Sequence, residues 1–401
     1  MRYFLVFALR FSGLALGFIL SIVLAQNYTK FELGQYFIFI HLVAMGSILI
    51  RFGSDNALLK LSQYFSVSQK YIALRISSII AIKVYVAIFM LLSAGYLLGE
   101  IDGRVAVLIS ITLLPFSFIN YSSEYLKGND NQNKGVLLQT VLIPLITMML
   151  VLIYSFDLIY IYSSSILICF VISMLLFSTK GQEKHYSSEV ITDYRSCLQP
   201  FFIVAVLNSI IATMDSFMIG IFSSLEEVAT YNIANKVAMI SSVFLVIANG
   251  IIGPIFSNLW QENKIARIND IFVKVTIAMA IVAVFIFLFF FYFGEILLIY
   301  IYGPEYTGSY KLLVILSFSQ AIMLSTGPVA YLLMMTGSSN IHRKSLMISV
   351  VINIALNCLL IPHFGAVGAA LATAISITIK NIYSLVLANN KFKFISSRGL
   401  K

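Results

Sequence analysis

Charge is scarce in this chain. Only 11% of its 401 residues are Asp, Glu, Lys or Arg, whereas a water-soluble domain carries about 25%. The shortage excludes a soluble globule of any class. It also excludes a large folded domain outside a bilayer, because the longest clearly polar stretch runs only from Lys180 to Gln199 and is too short to bury a core. Histidine is sparse too: His41, His185, His342 and His363 fit no metal-ligand spacing. Cys169, Cys197 and Cys358 show no CxxC spacing, which points to packing residues rather than a disulfide framework or a metal site. P-loop, HExxH and Gly-rich dinucleotide motifs are all missing. No metal and no cofactor is therefore expected, and any transport would run on an H+ or Na+ gradient or the membrane potential, on a partner, or on the chemistry that supplies and consumes the substrate.

What is present is apolar. Hydrophobic residues make up 60% of the chain, in recurring runs long enough to cross ~30 Å of hydrocarbon as helices. The fold class expected is an all-α polytopic membrane protein with about 12 transmembrane helices. The runs place spans at 3–25, 34–54, 76–98, 104–123, 136–155, 158–178, 200–222, 233–257, 273–294, 312–336, 345–362 and 364–388. The first run has the outline of a signal peptide, but Arg10 interrupts it and further spans follow, so it is read as a retained helix.

Sorting the basic residues orients these spans. With the N-terminus inside, nineteen Lys and Arg fall in cytoplasmic segments and only Lys30, Arg104 and Lys311 on the other side. This positive-inside asymmetry places both termini in the cytoplasm. The excess of positive charge is thus spread over short loops that fix topology and meet anionic membrane lipids, not gathered in a nucleic-acid surface. The organisation expected is a six-helix lobe over 1–178, a cytoplasmic linker over 179–199, a second six-helix lobe over 200–388 and a basic cytoplasmic tail over 389–401. One short repeat supports two halves. Glu32-Leu33-Gly34-Gln35-Tyr36 precedes the second span and Glu227-Val228-Ala229-Thr230-Tyr231 the eighth, at an offset of 195 residues. Repeat-built transporters hold substrate between their halves.

Ionisable residues inside spans are costly and mark function or pairing. Arg10 shares a helix face with Gly13, Gly17 and Ser21; such a stripe either packs closely or leaves open volume beside the arginine, and Arg10 is the leading cation for binding. Lys83 and Lys380 lie roughly 10–12 Å from the cytoplasmic helix ends at 1.5 Å per residue. They either snorkel to the headgroups or line a cavity. Asp215 has too short a stem to snorkel. Either it pairs with Lys236, across a short hairpin, or it takes up a proton or sodium ion in a coupling cycle; both remain open. Asn208 lies one heptad before it on the same face. Asn353 and Asn357, spaced four apart, fit interhelical hydrogen bonding better than substrate contact.

The segment from Asn353 to Thr373, NIALNCLLIPHFGAVGAALAT, resembles the last helix hairpin of the polysaccharide-repeat flippases. These are the Wzx type, O-antigen flippases and relatives, in the MATE-like multidrug/oligosaccharidyl-lipid/polysaccharide superfamily. Arg51-Phe52-Gly53 with Asn56-Ala57, Met214-Asp215-Ser216-Phe217-Met218-Ile219-Gly220, Leu225-Glu226-Glu227 leading to Tyr231, and Tyr302-Gly303-Pro304-Glu305-Tyr306 are similar to the family as well. Ala229 stands where the family often has Gly. The resemblance implies two six-helix lobes around a central cavity lined by spans 1, 2, 7 and 8. It implies alternating access, with Arg10, Arg51 and Lys236 on the diphosphate and sugars of an undecaprenyl-linked oligosaccharide. Lys83, Lys380 and Asn208 are secondary cavity candidates. The location implied is the bacterial cytoplasmic (inner) membrane, with a polysaccharide polymerase and a chain-length regulator as protein partners. Three alternatives compete: a cation-coupled drug exporter of the MATE class, an integral membrane polysaccharide polymerase and a membrane scaffold. The polymerase would need a large polar outer loop, which the chain does not offer, and a scaffold would not explain Asp215.

Overall fold

The computed structural model describes residues 2–61, 67–99, 102–128, 131–154, 156–177 and 188–392. Among these residues the regular structure is helical throughout. The chain divides into two compact units, Met1–Ile210 and Ile211–Lys401. Most of the expected 179–199 linker up to Ser187, and the tail beyond Phe392, lie outside the described residues; from Ser188 the linker is already helix.

In the first unit, α1 (Arg2–Asn27) and α2 (Lys30–Arg51) are separated by a short turn. Thr29 starts α2 with a capping box: its side chain accepts from the Glu32 N–H, and the Glu32 carboxylate accepts from the Thr29 N–H at 2.8 Å. Two of the orphan donors at the helix start are thereby satisfied. The unit continues with α3 (Ser54–Leu61), α4 (Val67–Leu97), α5 (Gly103–Gly128), α6 (Gln132–Val136), α7 (Ile143–Ile153) and α8 (Leu158–Leu176). Between α6 and α7, Leu137–Leu142 forms a π-helical turn. Pro144 follows it; having no N–H, it cannot bond back to the Thr140 carbonyl, and a wider turn absorbs the mismatch.

The second unit receives the end of α9 (Ser188–Phe222), then holds α10 (Leu225–Ala238), α11 (Ser242–Gln261), α12 (Ile265–Tyr302), α13 (Ser309–Ser325), α14 (Val329–Met335) and α15 (Ser339–Phe392). A 3-10 turn, Met239–Ser241, breaks the path from α10 to α11. Among the described residues, ten helices are long and apolar enough to cross a membrane, and α13 with α14, bent by 43°, makes an eleventh. Gly327, at φ +63°, and Pro328 lie at that bend. The 54-residue α15 is two helices joined at Gly365, whose φ of 55° and ψ of −137° are not helical. Its two limbs bring the membrane-length segments to the twelve expected from hydropathy.

Apolar burial is inverted relative to a soluble protein. Tyr300 is 89% exposed, and α4 and α12 present Ile82, Leu91, Phe285 and Ile296 to the outside, as lipid-facing helices do. Polar residues turn inward instead: Ser47, Thr112, Ser122 and Asn357 are fully buried. Cys169 is buried as a packing residue should be, but Cys358 is exposed, which corrects the expectation for that residue: on an apolar helix surface its environment is lipid, not core.

Gly53 sets the fit of α9 against α2. Phe52 and Gly53 both have positive φ, 45° and 76°, and end α2 in the left-handed conformation. A Cβ on Gly53 would lie 2.4 Å from the Leu198 carbonyl oxygen and 2.7 Å from the Phe202 nitrogen. Those are backbone atoms of α9 that cannot swing aside, and the Phe52 and Phe202 rings stack at 4.3 Å over the same contact. Gly53→Ala is expected to cost ~1–3 kcal/mol, the scale of a residue held in a disfavoured backbone region. Thermal unfolding of the detergent-solubilised protein checks it; an unchanged midpoint would contradict so tight an approach.

Candidate functional site

Four segments of the second unit converge on one carboxylate. Asp215, on α9, is only 4% exposed. Its Oδ1 accepts from Asn353 Nδ2 at 3.1 Å and Asn357 Nδ2 at 2.6 Å, both on the first limb of α15. Its Oδ2 accepts from Tyr231 Oη on α10 at 2.6 Å and from Thr373 Oγ1 on the second limb of α15. A buried charge unsupported by donors would cost several kcal/mol; here two oxygens meet four donors, and none of them is charged. The four-residue spacing of Asn353 and Asn357 puts both amides on one helix face. The donors are themselves tied together, Asn353 Nδ2 to Thr373 Oγ1 at 3.3 Å and Asn357 Nδ2 to Asn353 Oδ1 at 3.2 Å. Asn357 Oδ1 is buried with no hydrogen-bond partner, so the cluster contains an acceptor left over.

A second carboxylate holds the hairpin that carries three of these donors. Glu227 Oε2 accepts from the Ala366 N–H at 2.6 Å, satisfying an orphan donor at the start of the second limb of α15. Gly365 must lack a side chain here, since a Cβ would lie 2.2 Å from Glu227 Oε2. Glu227 and Tyr231 are the two fixed residues of the repeated pattern, one helical turn apart: the first anchors the hairpin, the second the carboxylate. In the first copy Glu32 only caps its own helix, and Tyr36 packs edge-on against Tyr162 at 5.6 Å. The 195-residue offset that relates the two copies sets Asp215 against Leu20 (215 − 195), a buried apolar residue.

The structure brings together some of the sequence-derived candidates and not others. The Asp215–Lys236 ion pair is not made. All recorded partners of Asp215 are the four uncharged donors, and Lys236 lies half-buried in the last turn of α10. Proximity across the α9–α10 hairpin was the wrong guide, because the carboxylate faces α15. Asn353 and Asn357 do bond between helices, onto Asp215 itself. Asn208 is exposed and donates to the Val204 carbonyl within its own helix at 3.0 Å. Lys380 is half-buried on α15, and neither it nor Asn208 joins the cluster. In the first unit, Arg10 and Lys83 are exposed. Gly13 lies against Thr140 and Gly17 against open space, so the stripe beside Arg10 packs at one end and is open further on. Arg51 bonds through Nη1 to Asp55 and through Nε to the Ser47 carbonyl at 3.2 Å.

The meeting of Thr373 and Tyr231 with Asp215 is legible only in three dimensions. Thr373 and Tyr231 are 158 and 16 residues from Asp215. Asp55, one turn beyond Arg51, carries a readable i, i+4 signal. In the first unit Glu124 pairs with Lys127 at 2.7 Å, and Gln139 of the π-helical turn bonds to both. Among the described residues, no three His, Cys, Asp or Glu side chains gather to hold a metal ion.

A fold of this kind, with a buried carboxylate held by four uncharged donors, invites comparison with known proteins. The family model described as polysaccharide biosynthesis protein matches residues 4–260. The chain belongs to that family. A second model, MatE, matches residues 200–359, which include Asp215, Asn353 and Asn357. Among curated relatives, an uncharacterized membrane protein of Methanocaldococcus jannaschii is 22% identical over 94% of this chain and 82% of its own length. A probable low-salt glycan biosynthesis flippase of Haloferax volcanii is 28% identical over 42% of this chain and 36% of its own. Solved structures share the fold: the lipid II flippase MurJ in an inward closed conformation superposes with a TM-score of 0.72 at 14% identity, over 96% of this chain and 87% of that one. An inward-facing multidrug resistance transporter of the MATE family superposes with a TM-score of 0.73 at 14% identity, over 95% of each.

Removing one donor should register as lost stability. Tyr231→Phe is expected to lower the unfolding free energy by ~1.5–3 kcal/mol, the range for a hydrogen bond to a charged group. In an Asp215→Asn background the same substitution should cost clearly less, because the bonded charge is gone. Equal costs in the two backgrounds, measured by thermal unfolding in detergent, would disprove the assigned interaction.

Proposed function

We propose that this protein is a flippase that carries lipid-linked glycan precursors across the cytoplasmic membrane of a bacterium by alternating access. The observation that carries the proposal is the match of residues 4–260 to the polysaccharide biosynthesis family. The substrate proposed is an undecaprenyl-diphosphate-linked oligosaccharide repeat unit, moved from the inner to the outer leaflet. A diphosphate headgroup cannot cross hydrocarbon unaided. Moving each of its negative charges out of an inside-negative cell releases ~2.3 kcal/mol per 100 mV. Arg10 and Arg51 are the residues proposed to recruit the diphosphate, with Lys236, Lys83, Lys380 and Asn208 as further contacts along the path. A polysaccharide polymerase and a chain-length regulator would receive the product.

Asp215 is proposed as the coupling site, where a proton or a sodium ion binds. Its surroundings fit a monovalent cation by charge and ligand type. One carboxylate supplies a single negative charge and the Tyr231 and Thr373 hydroxyls stand beside it as neutral oxygens; Asn353 and Asn357 turn their Nδ2 groups to the carboxylate, and rotation of either amide would bring a further oxygen, the ligand type hard cations take. The leftover acceptor Asn357 Oδ1 is a ready ligand. Loading a cation would turn the amide and hydroxyl hydrogens away from the carboxylate, changing how α9, α10 and both limbs of α15 are held. That is the kind of local charge event that biases a two-state element.

A MATE-type exporter of small molecules is the second reading, favoured by the MatE match across the Asp215 region. Complementation separates the two: restoring polysaccharide export to a strain without its own flippase supports the first, and drug resistance without export supports the second.

In proteoliposomes with a lipid-linked oligosaccharide, Arg10→Ala and Asp215→Asn are each expected to slow flipping by about tenfold or more, equivalent to ~1.4 kcal/mol. Only Asp215→Asn should also abolish dependence on an imposed sodium or proton gradient. An Arg10→Ala protein that flips at the wild-type rate would remove Arg10 from the proposal, and a gradient dependence that survives Asp215→Asn would remove the coupling role.

A further inference from the structure

In the first unit, successive residues of the π-helical turn Leu137–Leu142 touch two different helices. Gln139 faces α5. Its Nε2 donates to Glu124 Oε1 at 3.2 Å, and its Oε1 accepts from Lys127 Nζ, which also donates to Glu124 Oε1 at 2.7 Å. The amide thus closes a ring with an ion pair whose Lys127 and Glu124 side chains are only 9% and 11% exposed. Away from water such bonds are electrostatically strong. Thr140 faces α1. A Cβ on Gly13 would lie 2.7 Å from both the carbonyl oxygen and the Cβ of Thr140, so the α1 backbone rests on this residue.

The carbonyl that meets Gly13 is the one that Pro144 leaves without its α-helical donor. An N–H at position 144 would bond the Thr140 carbonyl four residues back, and the wider turn would lose its cause. Closing a π turn to α removes one residue's excess from it. The chain on one side is then turned by about 100° and moved about 1.5 Å along the axis. Gln139 and Thr140 cannot both keep their partners through that step.

We propose that this turn gears α1 to the buried Glu124–Lys127 pair. In the π form Gln139 sits on the pair and Thr140 against Gly13; in the α form both contacts are given up together. A bistable turn of this kind passes a small local shift on to a whole helix. What disturbs the pair reaches α1, and what moves α1 reaches the pair, since coupling is reciprocal. α1 carries Arg10, so the turn also sets where that cation stands; this consequence rests on the flippase reading, and the gearing does not.

Hydrogen–deuterium exchange of the purified full-length protein, without substrate, tests it. Pro144→Ala supplies the missing N–H. It should slow exchange at residues 141–148 and quicken it at residues 9–17 of α1, each by about fivefold or more, the scale of one hydrogen bond. Opposite signs in one variant are what gearing gives and a general loss of stability does not. Gln139→Leu keeps the proline but cuts the tie to the pair; it should quicken 9–17 by the same factor and leave α4 at the wild-type rate. Wild-type exchange across 9–17 in either variant overturns the proposal. So does quickening at both stretches in Pro144→Ala, or equal quickening of α4 in Gln139→Leu. If Pro144→Ala does not fold, Gln139→Leu decides alone by the same two outcomes. No substrate is present, so failure here leaves the flippase reading standing, and failure of that reading leaves the gearing.

Discussion

A carboxylate cannot be left without donors in an apolar interior, and the second unit is arranged around that constraint. Asp215, carried by α9, is satisfied only if α10 and both limbs of α15 stand in register with it, because each of the three contributes a donor to the carboxylate. The register in turn requires the bend at Gly365, the clamp from Glu227 to the Ala366 N–H and the helical spacing of the two asparagines. Hydrophobic contact alone would not fix these positions in lipid, where helix surfaces and solvent are equally apolar. A polar cluster is what makes one packing better than its neighbours.

The two halves have kept a pattern and changed its use. Glu and Tyr recur at the same addresses, yet in the first unit the Glu caps its own helix and the Tyr packs among aromatic rings. The first unit buries its own charges elsewhere, in the Glu124–Lys127 pair beside the π-helical turn. π-Helical turns recur at functional sites because they re-aim side chains, and this one points Gln139 at that pair. The halves are thus alike in helical outline and unlike in electrostatics.

Hydropathy carries the helix count, since a span is a property of about twenty consecutive residues and needs no knowledge of neighbours. The same patterning marks Asp215 as costly and sets Asn353 and Asn357 on one face. It does not say who meets whom. Lys236 is close to Asp215 along the chain, but the donors that matter lie up to 158 residues away, and no periodicity encodes that pairing. Breaks in helices divide the same way. Gly327-Pro328 announces its bend, whereas Met239–Ser241 contains neither glycine nor proline; there the Ser241 and Ser242 hydroxyls donate to the Ala238 and Met239 carbonyls, a subtler local signal.

That turn has a mechanical meaning. The α10 side of it is fastened twice, through Glu227 to the hairpin and through Tyr231 to the buried cluster. The α11 side is packed instead into an apolar group with α12, α14 and the end of α15, around Phe256, Phe272 and Phe392. The membrane-length segment from Leu225 to Gln261 is therefore a jointed rod: one arm is pinned by directional polar bonds, the other seated in close-packed apolar contacts, and the three residues between them are where its helical ladder is interrupted.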